Sequence, residues 1–167
     1  MIVFDASTVI SAALKVDSVP ERALLRADEI DVFALSTPVD AEIAGVLNRP
    51  KFAEAIRADR RAFVLNVLRR EAAWFAPTVR VIDCRDPKDD KYLELAFAAG
   101  ADTIVSSDDD LLVLHPWRGV RILRPAAYLA VVQQKRTEAA RGPAWLTAPA
   151  APLPTSLVSG PAASGTV

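Results

Sequence analysis

The stretch Ile2-Val3-Phe4-Asp5-Ala6-Ser7-Thr8-Val9-Ile10 runs three apolar residues straight into an aspartate, with a second apolar pair a few residues on. A short, continuously apolar run bounded by polar residues is the pattern of a strand buried on both faces. Asp5 then falls at the carboxyl end of that strand, the edge where open parallel sheets bind their ligands. Asp5 also suits the N-cap of a following helix, because helix starts favour Asp. The stretch alone leaves both roles open, and the other strand ends decide between them.

Downstream, strands alternate with helices. Val9, Ile10, Ala13 and Leu14 share one helical face, and Pro20 opens a helix over 20–28 with Ala23, Leu24 and Ala27 inward. A second strand is expected over 31–35. Thr37, Pro38 and Asp40 suit the N-cap, first turn and third position of a helix that ends near Asn48-Arg49-Pro50. Residues 60–75 read as one long helix, with Phe63, Val64, Val67, Leu68 and Ala72 inward, and 79–82 as a third strand. Asp86 and Pro87 then open a helix that Gly100 stops. Residues 103–105 and 120–123 are the fourth and fifth strands, and Pro125 opens a last helix over 126–135. The alternation predicts an α/β fold, a parallel sheet with helices on both faces.

The chain has 167 residues, about half of them hydrophobic, which suits a single domain with a real core. Residues 1–136 carry the periodic pattern. Residues 137–167 are rich in Pro, Ala, Ser, Thr and Gly and read as a disordered tail, with Trp145-Leu146 and Leu157-Val158 as anchor candidates. The net charge is −1, so nothing global draws the protein to nucleic acid, and any such contact needs a local basic patch or a metal ion. The lone Cys84 excludes an intrachain disulfide and reads as a small core residue; the lone His115, before a proline, reads as structural. No secretory signal or bilayer-length apolar run is seen, and a cytoplasmic location is expected.

Acids recur where the predicted strands end: Asp5, then Glu42 on the helix after the second strand, the group from Asp83 to Asp90, and Asp108 to Asp110. Four carboxylates between Asp83 and Asp90 exceed what helix capping requires. Carboxylates that converge on one crevice need a compensating cation. With no Cys or His cluster, zinc is disfavoured, and hard oxygen ligands suit Mg²⁺ or Mn²⁺. Such an ion commonly serves phosphate chemistry.

Four segments in order now resemble the motifs of the PIN-domain family, and in particular the toxin components of bacterial toxin–antitoxin systems. They are Val3-Phe4-Asp5-Ala6-Ser7-Thr8, then Glu42 with Val46-Leu47-Asn48-Arg49-Pro50-Lys51-Phe52, then Asp86-Pro87-Lys88-Asp89-Asp90-Lys91-Tyr92-Leu93, then Ile104-Val105-Ser106-Ser107-Asp108-Asp109-Asp110. The resemblance spans about residues 1–130. It implies a PIN-like α/β/α sandwich around a mainly parallel sheet of about five strands, and a Mg²⁺- or Mn²⁺-dependent endoribonuclease.

Asp5, Glu42, Asp89 and Asp108 would be the metal-binding and catalytic acids, with Ser7, Ser106, Asp90 and Asp110 in support. Members often carry Asn where Ser7 stands, and Asn is also common at the Asp90 position, so Asp89 and Asp90 compete for the ligand role. Arg49, Lys51, Arg60 and Arg61 are weak candidates for RNA or partner contact. The resemblance also implies an RNA substrate, a cognate antitoxin protein and, as related toxins often dimerise, a homodimer; no membrane is involved. Three rival readings start from the same residues. A haloacid-dehalogenase-like phosphatase would need a second Asp where Ser7 stands. A receiver-like module would need paired acids after the first strand and a lysine where Arg124 stands. A PIN scaffold with weakened activity would act through partner binding alone.

Overall fold

In the computed structural model, which describes residues 1–141, strand β1 (Ile2–Phe4) is wholly buried and pairs in parallel with β4 (Thr103–Val105). β4 pairs in parallel with β5 (Arg121–Leu123). On the other side, β2 (Ala34–Leu35) and β3 (Ala73–Trp74) form a short parallel ribbon. A single parallel bridge, Ile2 to Phe33, joins this ribbon to β1. The strands thus lie in the order β3-β2-β1-β4-β5. From β1 the chain first builds outward on one side and later returns to build on the other. The switch point of the sheet therefore lies between β1 and β4, where a ligand crevice is expected.

The helices follow from the apolar spacing. α1 (Ala6–Leu14) buries Val9, Ile10 and Ala13, while Leu14, expected inward, is exposed. α2 (Val19–Ile30) buries Ala23, Leu24 and Ala27, with Ser18 as its N-cap. α3 (Thr37–Leu47) starts one residue earlier than expected, with Ser36 at the N-cap and Thr37, the expected cap, as its first residue. Asp40 in its first turn accepts from Arg69 Nε at 2.6 Å instead of capping the helix. After α4 (Pro50–Ala55) comes α5 (Ala58–Arg69), then α6 (Asp90–Ala99), α7 (Asp109–Leu112) and α8 (Pro125–Arg141). Gly100 stops α6 in the left-handed conformation at φ 58°, a role that suits glycine. α8 continues five residues past the expected boundary at 136; the rest of the 137–167 segment, with both anchor candidates, lies outside the described residues.

Two expectations are corrected. The helix over 60–75 stops at Arg69, and Phe63, expected inward, is exposed. The third strand is Ala73–Trp74, not 79–82. Ala73 N–H donates to Phe33 O and Phe75 N–H to Leu35 O, both at 2.8 Å, which locks this segment beside β2. Residues 79–82 have no strand partner. Val81 N–H is taken by the Glu94 carboxylate at 3.0 Å, and Ile82 stands exposed. His115 is structural as expected: its Nδ1 accepts from Ile122 N–H at 2.9 Å. Cys84 is buried, and burial raises its thiol pKa, as suits a core residue. No helix among the described residues is long and apolar enough to cross a membrane.

Candidate active site

The neighbouring ends of β1 and β4 bring Asp5 and Ser106 into contact. Asp5 caps α1, its Oδ1 accepting from Thr8 N–H at 2.8 Å. Its Oδ2 accepts from Ser106 Oγ and from Ser7 Oγ, each at 2.6 Å. The carboxylate is almost fully buried, so burial raises its pKa, and the three donors pull against that rise. Capping and site chemistry are thus combined in one residue. Ser106 Oγ in turn accepts from Asp108 N–H at 2.9 Å, which ties the α7 cap to Asp5. Asp108 Oδ1 then accepts from Asp110 N–H at 2.9 Å.

Glu42 reaches the same edge from α3 through Tyr92. The Tyr92 hydroxyl accepts from Ala6 N–H at 3.1 Å and donates to Glu42 Oε2, linking Glu42 to the residue next to Asp5. Lys91 Nζ lies 3.0 Å from the same Glu42 oxygen and is the ammonium on hand among the acids. Tyr92 and Lys91 did not stand out in the sequence as site residues, because Tyr92 fits the apolar row of α6 and Lys91 reads as a solvated neighbour. The signal was a hydroxyl-bearing aromatic in a row otherwise made of Leu and Ala.

Asp89 precedes α6 and its carboxylate makes no hydrogen bond among the described residues. Its pKa is pushed up to about 6, first by burial, then by the charges of Asp108, Asp86 and Glu42. Asp90 points elsewhere. Its buried carboxylate accepts from Asp83 N–H at 3.1 Å and Cys84 N–H at 2.8 Å and so holds the loop before α6. Asp110 pairs with Arg85 away from Asp5. Two of the four basic candidates are internally engaged: Arg60 pairs with buried Glu21 and donates to Ala12 O, and Arg61 donates to Ala53 O at 2.9 Å. Arg49 and Lys51 are exposed at the start of α4, with Lys51 over the Phe52 ring.

The donors at this edge are carboxylate and hydroxyl oxygens, which suit a hard divalent ion. Among the described residues, no three His, Cys, Asp or Glu side chains come together as a group that could hold a metal ion, so no ready-made ligand cage stands at this edge. A Mg²⁺ site held by one or two carboxylates and completed by water needs no such cage, so the residues fit the ion. Acids that repel one another are packed together here, and the Lys91 ammonium offsets part of their charge.

A mixed α/β fold with a parallel sheet, and acids gathered at its switch point, define the class of protein. The sequence profile of the PIN domain matches residues 1–110, and the chain belongs to the PIN-domain family. PIN domains are typically nucleases, and these nucleases generally use divalent metal ions. Neither the curated proteins nor the solved structures gave a match to this chain.

Proposed function

We propose that this PIN domain is a Mg²⁺- or Mn²⁺-dependent endoribonuclease, the toxin of a toxin–antitoxin pair, with Asp5, Glu42, Asp89 and Asp108 as its acids. The observation that carries the reading is the meeting of acids from separate parts of the chain: Tyr92 joins Glu42 to the residue beside Asp5, Ser106 joins the Asp5 carboxylate to the Asp108 amide, and burial, then the charges of Asp108, Asp86 and Glu42, push the Asp89 pKa up to about 6. Acids are packed against one another in this way chiefly where their charge is used.

When bound, the ion lowers the pKa of a water and neutralises charge on the phosphate oxygens. The protein's own part is orientation. Ser7, Ser106 and Thr8 N–H fix both oxygens of Asp5, so it enters the site in one pose. Tyr92 fixes Glu42. Asp89, whose carboxylate makes no hydrogen bond among the described residues, is the acid available to accept a proton from the attacking water. Asp90 has a loop to hold, so Asp89 takes the ligand role and Asp90 supports it. A cognate antitoxin that covers this edge would silence the enzyme.

The phosphatase reading fails on the same geometry, because Ser7 binds the Asp5 carboxylate and no second acid stands there. The test is cleavage of a mixed RNA pool with Mn²⁺, with EDTA, and with the Asp5→Asn protein. Cleavage is expected only with Mn²⁺ and the unaltered protein, with a loss of at least about a hundredfold in the variant. Undiminished cleavage by folded Asp5→Asn protein would remove Asp5 from the mechanism.

A further inference from the structure

The amino ends of β4 and β5 border a second cavity, of about 720 Å³, at the sheet edge opposite Asp5 and Ser106. α2 and α8 close its sides. A volume of this size is that of a small-molecule site. Its lining includes Arg26, Arg121, Lys135 and Arg136 against two acids, Asp31 and Asp102. Both acids are already offset, lying 3.1 Å and 3.6 Å from the N-terminal ammonium. The walls are therefore net positive. Ile30, Val131 and Val132 supply an apolar side.

Tyr128, which also lines this cavity, is the second and independent observation. Its side chain is only 4% exposed, and its hydroxyl has no hydrogen-bond partner among the described residues. Buried hydroxyls are rarely left so, because an unmet donor is costly. Burial and the charge of Asp31 push the Tyr128 pKa up to about 12, so at neutral pH the group offers a proton and lacks an acceptor. Arg26 and Arg121 act on it in the opposite sense, which puts both guanidiniums in its electrostatic neighbourhood. Arg121 spends one nitrogen on Thr103 Oγ1, and among the described residues Arg26 is held only by an ion pair to the exposed Glu29, which an incoming anion can replace.

We propose that this cavity binds a small organic phosphate, its head held by Arg26, Arg121 and the Tyr128 hydroxyl and its apolar body lying against Ile30, Val131 and Val132. Arginine's planar fork matches phosphate oxygens two at a time, which favours phosphate over a simple carboxylate. The site is separate from the acid crevice and does not depend on the nuclease reading.

The experiment titrates the full chain by calorimetry with phenyl phosphate, inorganic phosphate and benzoate. Saturable binding of phenyl phosphate is expected, about tenfold tighter than inorganic phosphate because the ring adds apolar burial. Benzoate should bind at least about tenfold more weakly than phenyl phosphate. Tyr128→Phe should weaken phenyl phosphate by about fivefold and leave thermal unfolding unchanged or higher, since no protein partner is lost. Its ring stays packed edge-on against Phe4, with centroids 6.4 Å apart. Arg121→Gln should weaken binding by at least about tenfold, and Asp5→Asn should leave it unaltered. If Arg121→Gln fails to fold, Tyr128→Phe decides alone. Absence of saturable binding, equal binding of benzoate, or full binding by the Tyr128→Phe protein overturns the proposal, as does a Tyr128→Phe protein that unfolds at markedly lower temperature.

Discussion

Four carboxylates lie between Asp83 and Asp90, and three of them have work inside the fold. Asp83 accepts from Trp117 Nε1 at 2.8 Å, Asp86 from Lys88 N–H at 3.0 Å, and Asp90 from the two loop amides. Asp89 is left over, and its charge is resisted by burial and by three neighbouring acids. A carboxyl whose folded pKa lies near 6, above its ordinary 3.8, holds its proton more tightly in the folded state than in the unfolded one. Its contribution to stability is full below about pH 4 and is lost as pH rises to about 6. Asp89 is partly exposed, so solvent screening cuts the effect to about 1 kcal/mol. In EDTA, Asp89→Asn protein is thus expected to match the unaltered protein at pH 4 and to exceed its stability by about 1 kcal/mol at pH 7. Urea unfolding across that range measures it. Superimposable pH profiles for the two proteins would mean that Asp89 does not feel its acidic neighbours.

At the scale of elements, α5 shows why charged faces mislead. Its arginines read as solvent-facing and therefore as candidates for phosphate contact. Arg60 instead fastens α5 to Glu21 of α2 and Ala12 O of α1, and Arg69 at its end and Arg70 just past it do the same to Asp40 of α3 and Asp28 of α2. Glu21 is buried, so removing its arginine leaves a carboxylate in poor surroundings. Arg60→Ala is expected to cost about 2–3 kcal/mol in chemical denaturation, while RNA cleavage per folded molecule stays unchanged. A variant of normal stability that loses cleavage would make Arg60 an RNA contact after all.

The same region marks the limit of legibility. Strands β1, β4 and β5 were readable because each is a short stretch dominated by aliphatic residues and set apart by polar residues or glycine. β3 was not, because Ala73–Trp74 gains strand geometry only from hydrogen bonds to Phe33 and Leu35, residues far away in sequence. Residues 79–82 mimicked a strand because Val79, Val81 and Ile82 are β-branched and Val81 is buried. The carboxylate of Glu94, a helix residue, supplies what a partner strand would have. Asp5 and Asp108 were legible as candidates from their places just past β1 and β4, whereas Asp89 was singled out behind a strand that does not form. Lys91 and Tyr92, which act on Glu42 across the fold, were not legible.

Taken as a whole molecule, the protein has little positive charge to spare for nucleic acid. Its net charge is −1. At least nine of its twenty basic side chains are already in ion pairs with its own acids. On the proposed reading, the charges of Asp5, Glu42, Asp89 and Asp108 would hold phosphate off until a cation intervened. Affinity for RNA should therefore come mainly from the bound metal and a few phosphate contacts, not from a basic track. For a single-stranded oligonucleotide with uncleavable linkages, each phosphate neutralised by a side chain adds about −0.7 to the slope of log affinity against log salt. In EDTA the expected slope is no steeper than about −2, with weak binding at physiological salt. Adding Mn²⁺ should raise affinity without steepening the dependence on monovalent salt. Fluorescence anisotropy at several salt concentrations, with and without Mn²⁺, makes the measurement. A slope of about −4 or beyond in EDTA would reveal a continuous cationic path across the surface. RNA would then reach the acids without needing a metal to bring it near.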